Sequence, residues 1–508
     1  MKVIEQNSGV LCALGGGAAL GLATQPVGWW WLAWIGLVPL WVWLGQEHPR
    51  PVPAFRLGFV LGMVYHATLL RWLLGMHPLD WMGIPFWPSL GIAVGLWLLV
   101  SATQAWIIGV WALALARCGL RGGLRVLYGI GVWLALHWLW GQGSTAFPWG
   151  DLAQTQVPDL WAVQVVRLGG SALLVGVLIG FNGLVAEAWS RRGRYGTGAA
   201  VLLLAVHGWG LWQSSQPLPQ GPTYNLGVIQ GNIPQNQKWS ETGRVNIIET
   251  YRAGYRNLAR TRPDLIILPE TALPEVWPPG SDDTPALNVM LEQLREFNVP
   301  LLPGAFDRRG DGLANTLFAL DGTGQVIGRY DKEHLVPLGE QIPLKEYVGW
   351  LIRKLSPLQR DLQPGDLEQV FVTSLGPVSG GICFDSAFGE GFRVQTAKGA
   401  RLLISITNDA WFGPAMAPEH HALEILRAVE NERWLVRASN NGSSGVIDPR
   451  GRTVRLTGRN VYAEFVAPIT ALDTRTLYVQ WGDWVIPTTV LLACLALVVG
   501  RMSARRWL

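Results

Sequence analysis

The sequence predicts a membrane-embedded bundle of eight transmembrane α-helices joined to an extracytoplasmic α/β domain. Three observations carry that expectation. The 508 residues are 49% hydrophobic and only 15% charged, and the apolar ones crowd into the N-terminal two fifths and the C-terminal end. The loops between the apolar runs alternate between Arg-rich and Arg-poor. The polar stretch between the two apolar regions alternates strand-like and helix-like segments, the pattern of a layered α/β domain.

The apolar runs are 9–23, 28–44, 54–74, 86–116, 124–140, 162–189, 196–212 and 484–500. Crossing the hydrocarbon takes ~20 residues of helix, so the first run is short and the fourth is long enough to tilt. Arg50 and Arg56 flank the second connection, and Arg117, Arg121 and Arg125 fill the fourth. Arg191, Arg192 and Arg194 fill the sixth, and Arg501, Arg505 and Arg506 follow the last run. The odd connections carry Asp80, Asp151 and Asp159 instead. Cytoplasmic loops retain Lys and Arg, so both termini are expected in the cytoplasm and the polar domain outside. Many of the 28 Trp sit at run ends, among them Trp29, Trp30, Trp31, Trp87 and Trp484. That is where an indole keeps its ring buried and its N–H wet. Pro217, Pro219 and Pro222 mark the way out of the membrane. The expected division is 1–215 for seven helices, 216–480 for the polar domain, and 481–508 for the last helix and tail.

Several function classes fall away. The net charge of +4 is small and no basic stripe is interleaved with aromatics, so nucleic acid is not a partner. Of four cysteines, Cys12, Cys118 and Cys494 lie in or beside apolar runs and only Cys383 is in the polar domain, which leaves no disulfide framework and no zinc spacing. No metal or cofactor is expected. The adjacent His420 and His421 would point in different directions on a helix. The N-terminus lacks a clean signal-peptide cleavage site. His66, Arg71 and Arg167 interrupt the spans, either as lipid-headgroup contacts or as snorkelling and intrabundle groups. So few ionisable groups argue against a transporter.

In the polar domain, 225–230, 265–268, 299–306, 316–320, 370–373, 378–382 and 402–407 read as strands, and 246–260, 286–297 and 419–437 as amphipathic helices. Three stretches place a reactive side chain just past a strand. Leu265-Ile-Ile-Leu-Pro-Glu270 ends in a carboxylate that burial would make more basic. Tyr330-Asp-Lys332-Glu-His-Leu-Val-Pro-Leu-Gly-Glu340 supplies a cation and a second carboxylate around a constrained turn. Ser379-Gly-Gly-Ile-Cys383-Phe-Asp385 presents a thiol after paired glycines, which are expected to let the backbone bend tightly. A thiol becomes a useful nucleophile when a base takes its proton and a cation stabilises the thiolate.

Pro-Glu-Thr-Ala, Lys-x-x-Leu-Val-Pro-x-Gly-Glu and Gly-x-Cys, in that order, resemble the nitrilase (carbon–nitrogen hydrolase) superfamily. Within it the chain is most similar to the apolipoprotein N-acyltransferase family. That narrower resemblance rests on Gln230-Gly-Asn-Ile-Pro-Gln235 with Trp239, on Asn408-Asp-Ala-Trp-Phe-Gly413, on Ala438-Ser-Asn-Asn-Gly442, and on Phe147-Pro-Trp149. It implies an αββα sandwich and a triad of Glu270, Lys332 and Cys383, with Glu340 as the second glutamate and Trp239 as a mobile tryptophan. It also implies a phospholipid acyl donor, a diacylglyceryl-modified apolipoprotein acceptor, a Cys383 thioester, and the last step of lipoprotein maturation at the bacterial inner membrane. The backbone N–H of Phe384 is a candidate oxyanion donor beside Lys332. Trp411 and Phe412 are candidates for lining the lipid's access route, with core packing as the plainer alternative. Where the family often carries Tyr-Glu after the cysteine, this chain has Phe384-Asp385, so the phenol is lost and the carboxylate is one methylene shorter. The competing enzyme reading is a membrane-tethered amidase with water as acceptor, for which one anchor would suffice in place of seven spans.

Overall fold

The computed structural model describes residues 2–46, 51–191, 193–238, 241–277, 285–310, 312–342 and 362–505. Arg50, Arg192, Trp239 and Arg506 lie outside the described residues. The chain forms two compact units. One contains 1–217, 412–422 and 481–508, and the other 218–411 and 423–480.

The first unit is helical. Four helical stretches are long and apolar enough to cross a membrane: Pro51–Met76, Phe86–Arg117, Val166–Trp189 and Val485–Ser503. Lys2–Ala23, Gly123–Trp140 and Arg194–Ser215 are further helices. The expected span at 28–44 is not one helix. It is a 3-10 turn, Trp30–Trp34, followed by the short helix Val38–Leu44. Pro39 explains the break, because its ring would strike the carbonyl of Ile35 and it has no N–H to give. The expected span at 162–189 breaks likewise at Gly169-Gly170, where Gly170 takes φ 66.

Small residues let the helices approach. A side chain on Gly58 or Gly62 would collide with Ala112 or Ala105 of Phe86–Arg117, the close-packing device of membrane helices. Arg125 corrects part of the charge reading. It is buried, not a loop charge: Nη1 pairs with Glu187 Oε1 at 3.1 Å and Nη2 donates to the Trp41 carbonyl. Arg117 and Arg121 remain exposed. His66 Nδ1 lies 2.9 Å from the Gly62 carbonyl, and Arg71 donates to Thr68. For these two, the intrabundle alternative accounts for the contacts observed.

Within this unit Glu419 is buried at 2% exposure, and its Oε2 accepts from the indole N–H groups of Trp72 (3.1 Å) and Trp149 (3.0 Å). Burial pushes its carboxyl well up, against the indole hydrogen bonds and Arg71. An amide oxygen can accept the same two bonds, so Glu419→Gln is expected to leave thermal stability nearly unchanged. Glu419→Leu strands both donors and is expected to cost roughly 1–3 kcal/mol for each. Thermal unfolding of the two variants checks this.

The second unit stacks two sheets between helices. Its strands are β1 (Thr223–Gln230), β2 (Leu265–Ile267), β3 (Val276–Trp277), β4 (Leu301–Leu302), β5 (Gly304–Arg309), β6 (Gly312–Leu320), β7 (Val326–Asp331), β8 (Phe371–Thr373), β9 (Gly376–Ile382), β10 (Leu403–Thr407), β11 (Leu435–Ser439), β12 (Gly445–Ile447), β13 (Thr453–Leu456) and β14 (Ala463–Thr470). One sheet runs β14-β1-β2-β4-β6-β5-β3 with β7 beside β6, and the other β13-β12-β11-β10-β9-β8. Alternation along each strand builds two cores. Leu226, Val228, Leu265, Ile267, Leu302 and Leu317 face the second sheet's Val378, Ile382, Ile404, Ile406 and Val436. Their neighbours Ile229, Ile266, Leu268, Leu301 and Phe318 face Ile247, Tyr251, Tyr255 and Leu294 of the helices Glu241–Ala259 and Pro285–Phe297. Strands buried on both faces read as continuous apolar runs, which is why 265–268 and 402–407 were legible.

Two segments depart from expectation. The strand expected at 299–306 divides at Pro303, which has no N–H for the ladder. The helix expected at 419–437 spans Met416–Asn431, and the chain turns at Glu432 (φ 52) into β11, parallel to β10.

Candidate active site

The second unit brings Glu270, Lys332, Glu340 and Cys383 together where strands end. Glu270 follows β2 with 7% exposure. Lys332 follows β7 with 1% exposure, and Cys383 follows β9. Lys332 Nζ is 3.3 Å from Glu270 Oε1 and 2.8 Å from Glu340 Oε2. Glu340 is held in turn by the backbone N–H of Val336 at 2.9 Å, the hydrogen bond that closes the constrained loop.

Cys383 opens a 3-10 turn, Cys383–Ala387, and takes φ 51, a conformation that a residue with a Cβ adopts only under constraint. The bend therefore falls on the cysteine and not on the glycines before it. Gly380 and Gly381 lie extended in β9, and they make room: a Cβ on Gly380 would collide with the Tyr330 ring, and one on Gly381 with the Phe392 ring. Asp385 fixes the turn by accepting from the Ile382 N–H (3.0 Å), the His334 N–H (2.8 Å) and the Tyr330 hydroxyl (3.0 Å). A phenol thus reaches this carboxylate from β7, although position 384 has none. Phe384 is buried, its ring edge-on to Phe388.

Burial pushes the Cys383 thiol up, and the Glu270 carboxylate pushes it further. Lys332 pulls the other way, Asp409 adds to the rise, and the Thr407 hydroxyl opposes it. The resting sulfur is therefore a thiol, and it must lose its proton as it attacks. Burial alone would lower the Lys332 ammonium, but Glu270, Glu340 and Cys383 hold it well above its ordinary range. The arrangement offers a nucleophile, a proton acceptor and a fixed cation in a nearly dry site.

Two residues here were not singled out from sequence. Asn315, buried in β6, donates Nδ2 to Glu270 Oε1 at 2.7 Å and to Glu340 Oε1 at 3.2 Å, tying the two carboxylates to one amide. Its signal was a polar pair, Asn315-Thr316, inside the mostly apolar strand Gly312–Leu320. Lys238, at 2% exposure, donates to the Glu270 carbonyl at 3.1 Å and to the Thr271 hydroxyl. It sits in the stretch between Gln235 and Trp239.

Trp411 ends the turn Asp409–Trp411 and is half-buried. Phe412 belongs to the helical unit, edge-on to Trp72 with ring centroids 4.8 Å apart. His420 packs against the Trp149 ring, and no cluster of metal-ligating side chains occurs among the described residues.

Comparison with known proteins bears on both units. The carbon–nitrogen hydrolase family matches residues 225–466, and the apolipoprotein N-acyltransferase N-terminal domain matches residues 16–184. A Gloeobacter violaceus apolipoprotein N-acyltransferase is 56% identical over 98% of this chain and 95% of its own length. The Nostoc and Synechocystis proteins of that description are 37% and 35% identical, over 93% and 94% of this chain and 95% and 98% of their own lengths. Among solved structures, yeast Nit3 of the nitrilase superfamily aligns with 50% of this chain and 92% of its own, at 20% identity and a TM-score of 0.38.

Proposed function

The chain belongs to the apolipoprotein N-acyltransferase family, and on that premise we propose that Cys383 carries a fatty acyl group from a membrane phospholipid to the N-terminal amine of an S-diacylglyceryl-cysteine. The observation that carries this reading is the shared contact of Lys332 with Glu270 and Glu340, electrostatically coupled to a strained, buried thiol.

The cycle has two halves. In the first, Cys383 Sγ attacks the ester carbonyl of the phospholipid while Glu270 takes the thiol proton. Lys332, held by Glu340, meets the developing oxyanion together with the Phe384 backbone N–H. The C–O bond then breaks, Glu270 returns its proton to the lysophospholipid alkoxide, and a thioester remains. In the second, the acceptor's neutral amine attacks the thioester, Glu270 takes a proton from the nitrogen, and it then protonates the departing Cys383 thiolate as the amide forms. The two halves make a ping-pong cycle. Water is the competing acceptor, and the low exposure of Glu270, Lys332 and Cys383 works against it.

The domain and topology assignments belong to the same proposal. Residues 1–215 and 481–508 embed the chain as eight crossings, the second through the interrupted segment 28–44, with both termini cytoplasmic and 216–480 outside, at the bacterial inner membrane. Four long apolar helices and the exposed Arg117 and Arg121 support this. Trp411 and Phe412 are assigned to lipid contact, as half-buried aromatic side chains. Trp239, outside the described residues, is assigned a supporting role.

The test offers the enzyme, in phospholipid-containing micelles, a synthetic peptide that begins with S-diacylglyceryl-cysteine. N-acylated peptide is expected as the main product, and acetylating the peptide's amine beforehand should stop it. Free fatty acid released at one rate with or without the peptide would instead make the chain a hydrolase.

A further inference from the structure

Lys238 is a buried charged group beside Glu270 that this cycle leaves unused. Its helix, Gln235–Lys238, delivers the side chain under the turn that carries Glu270. The amine donates to the Glu270 main-chain carbonyl and to the Thr271 hydroxyl. Thr271 takes φ 44, so the backbone immediately after the proposed base is itself in a disfavoured conformation and needs outside support. Glu270 and Cys383 are the charged or ionisable groups that act on Lys238. Lys332 lies one contact further, through Glu270, and Glu340 lies beyond it, through Lys332.

Formal charge points to a second role. Glu270 and Glu340 bring two negative charges to a site nearly closed to water, and Lys332 answers only one of them. Uncompensated charge in such a place is costly. With Lys238 these four groups sum to zero, and Asp409, which also acts on the thiol, is paired with Arg437. The sum stays zero when the thiol proton moves to Glu270, because the negative charge only shifts from carboxylate to sulfur. Resting on the acyl-transfer reading above, we propose that Lys238 is a positioning residue for the first half-reaction, holding the Glu270 turn in place and supplying the positive charge that balances the second carboxylate.

A pH dependence follows. Burial brings Lys238 down to about 8, while Glu270 and Cys383 resist that fall. Lys332 is held well above its ordinary range and the Cys383 thiol is raised. Neither of those groups therefore loses a proton near pH 8. Thioester formation should be full below pH 8 and decline as pH rises through it, when Lys238 loses its charge.

The experiment measures only the first half-reaction, so that no acceptor amine titrates. Full-length enzyme in micelles is mixed with phosphatidylethanolamine between pH 6 and 10, quenched, and the acyl-enzyme is followed by intact mass. Wild type should show an alkaline decline centred near pH 8. Lys238→Gln should be slower by on the order of 10²-fold at pH 7, the scale of losing one preorganised charge. Lys238→Arg keeps its charge to beyond pH ~12. It should lose the decline even if its plateau is lower. A flat wild-type profile through pH 8 overturns the proposal without any variant. So does a Lys238→Gln enzyme that acylates at the wild-type rate, or a Lys238→Arg enzyme that keeps the decline unmoved, since a purely structural lysine would give that last result. If wild type forms no acyl-enzyme at any pH, the failure lies with the acyl-transfer reading itself.

Discussion

Replacing Cys383 with alanine is expected to reduce acyl transfer to background, a loss on the order of 10⁶-fold, while the protein stays folded. Removing the nucleophile of a covalent mechanism abolishes both halves of the cycle at once, and losses of that size are the rule when such a residue is deleted. The fold should survive because the change is small. Cys383 sits in the apolar core between the two sheets, and alanine keeps its Cβ. The φ of 51 is held by the Asp385 hydrogen bonds to Ile382 and His334, which the substitution leaves alone. Product formation measured beside thermal unfolding checks both halves of the claim. A folded variant with a tenth of wild-type turnover would mean that the acyl group never passes through this sulfur.

Lys332→Met should damage stability as well as rate. Methionine matches the length of the lysine stem but leaves Glu270 and Glu340 facing each other, with side chains only 8% and 15% exposed. Breaking a buried ion pair from one side costs about 3–5 kcal/mol, because the stranded charge remains. Asn315 still donates to both carboxylates, and Lys238 still faces Glu270, so the loss should fall toward the lower end of that range. The rate of thioester formation should fall on the order of 10³-fold, since the cation that meets the oxyanion is gone. Lys332→Arg is not a conservative rescue, because a planar fork cannot replace a compact ammonium between two carboxylates. Denaturant unfolding and the acylation rate measure the two effects separately. A variant with unchanged stability would contradict the contact geometry, and one with an unchanged rate would contradict the assigned role.

The sequence exposed some of this and concealed the rest for physical reasons. Glu270, Lys332 and Cys383 could be read because each lies within three residues of a strand's end, and a reactive side chain after an apolar run is a local signal. Glu340 was legible for a related reason, since its loop is constrained by Pro337 and Gly339. Asn315 was not, because a polar residue inside a mostly apolar strand looks like noise until its partners, 45 and 25 residues away in sequence, are seen beside it. Lys238 was hidden similarly, because a lysine in a short polar segment has the look of a solvated surface charge. The glycines of 379–383 were read for flexibility, whereas they are needed for the Tyr330 and Phe392 rings packed against them.

The same limits shaped the reading of the fold. Strands β2, β9 and β10 announce themselves by two-sided burial. Strand β11 was taken into a helix because Arg437 breaks its apolar run, and only its pairing with Asp409 (2.7 Å) and Glu424 (3.0 Å) shows why a buried strand tolerates that charge. Arg125 misled in the opposite sense. An arginine near a span end counts toward topology until a partner such as Glu187 takes it out of the loop. Pro39 and Gly169-Gly170 broke expected spans where apolarity alone had promised continuity.

The most direct measurement of the central claim needs no variant. Wild-type enzyme is incubated with a phospholipid of defined acyl chain and no acceptor, and then examined by intact mass and peptide mapping. One added acyl group is expected, located on the peptide containing Cys383 and discharged when an S-diacylglyceryl-cysteine peptide is supplied. An enzyme that still converts the acceptor, yet carries no acyl group on Cys383 at any time in the reaction, would contradict it.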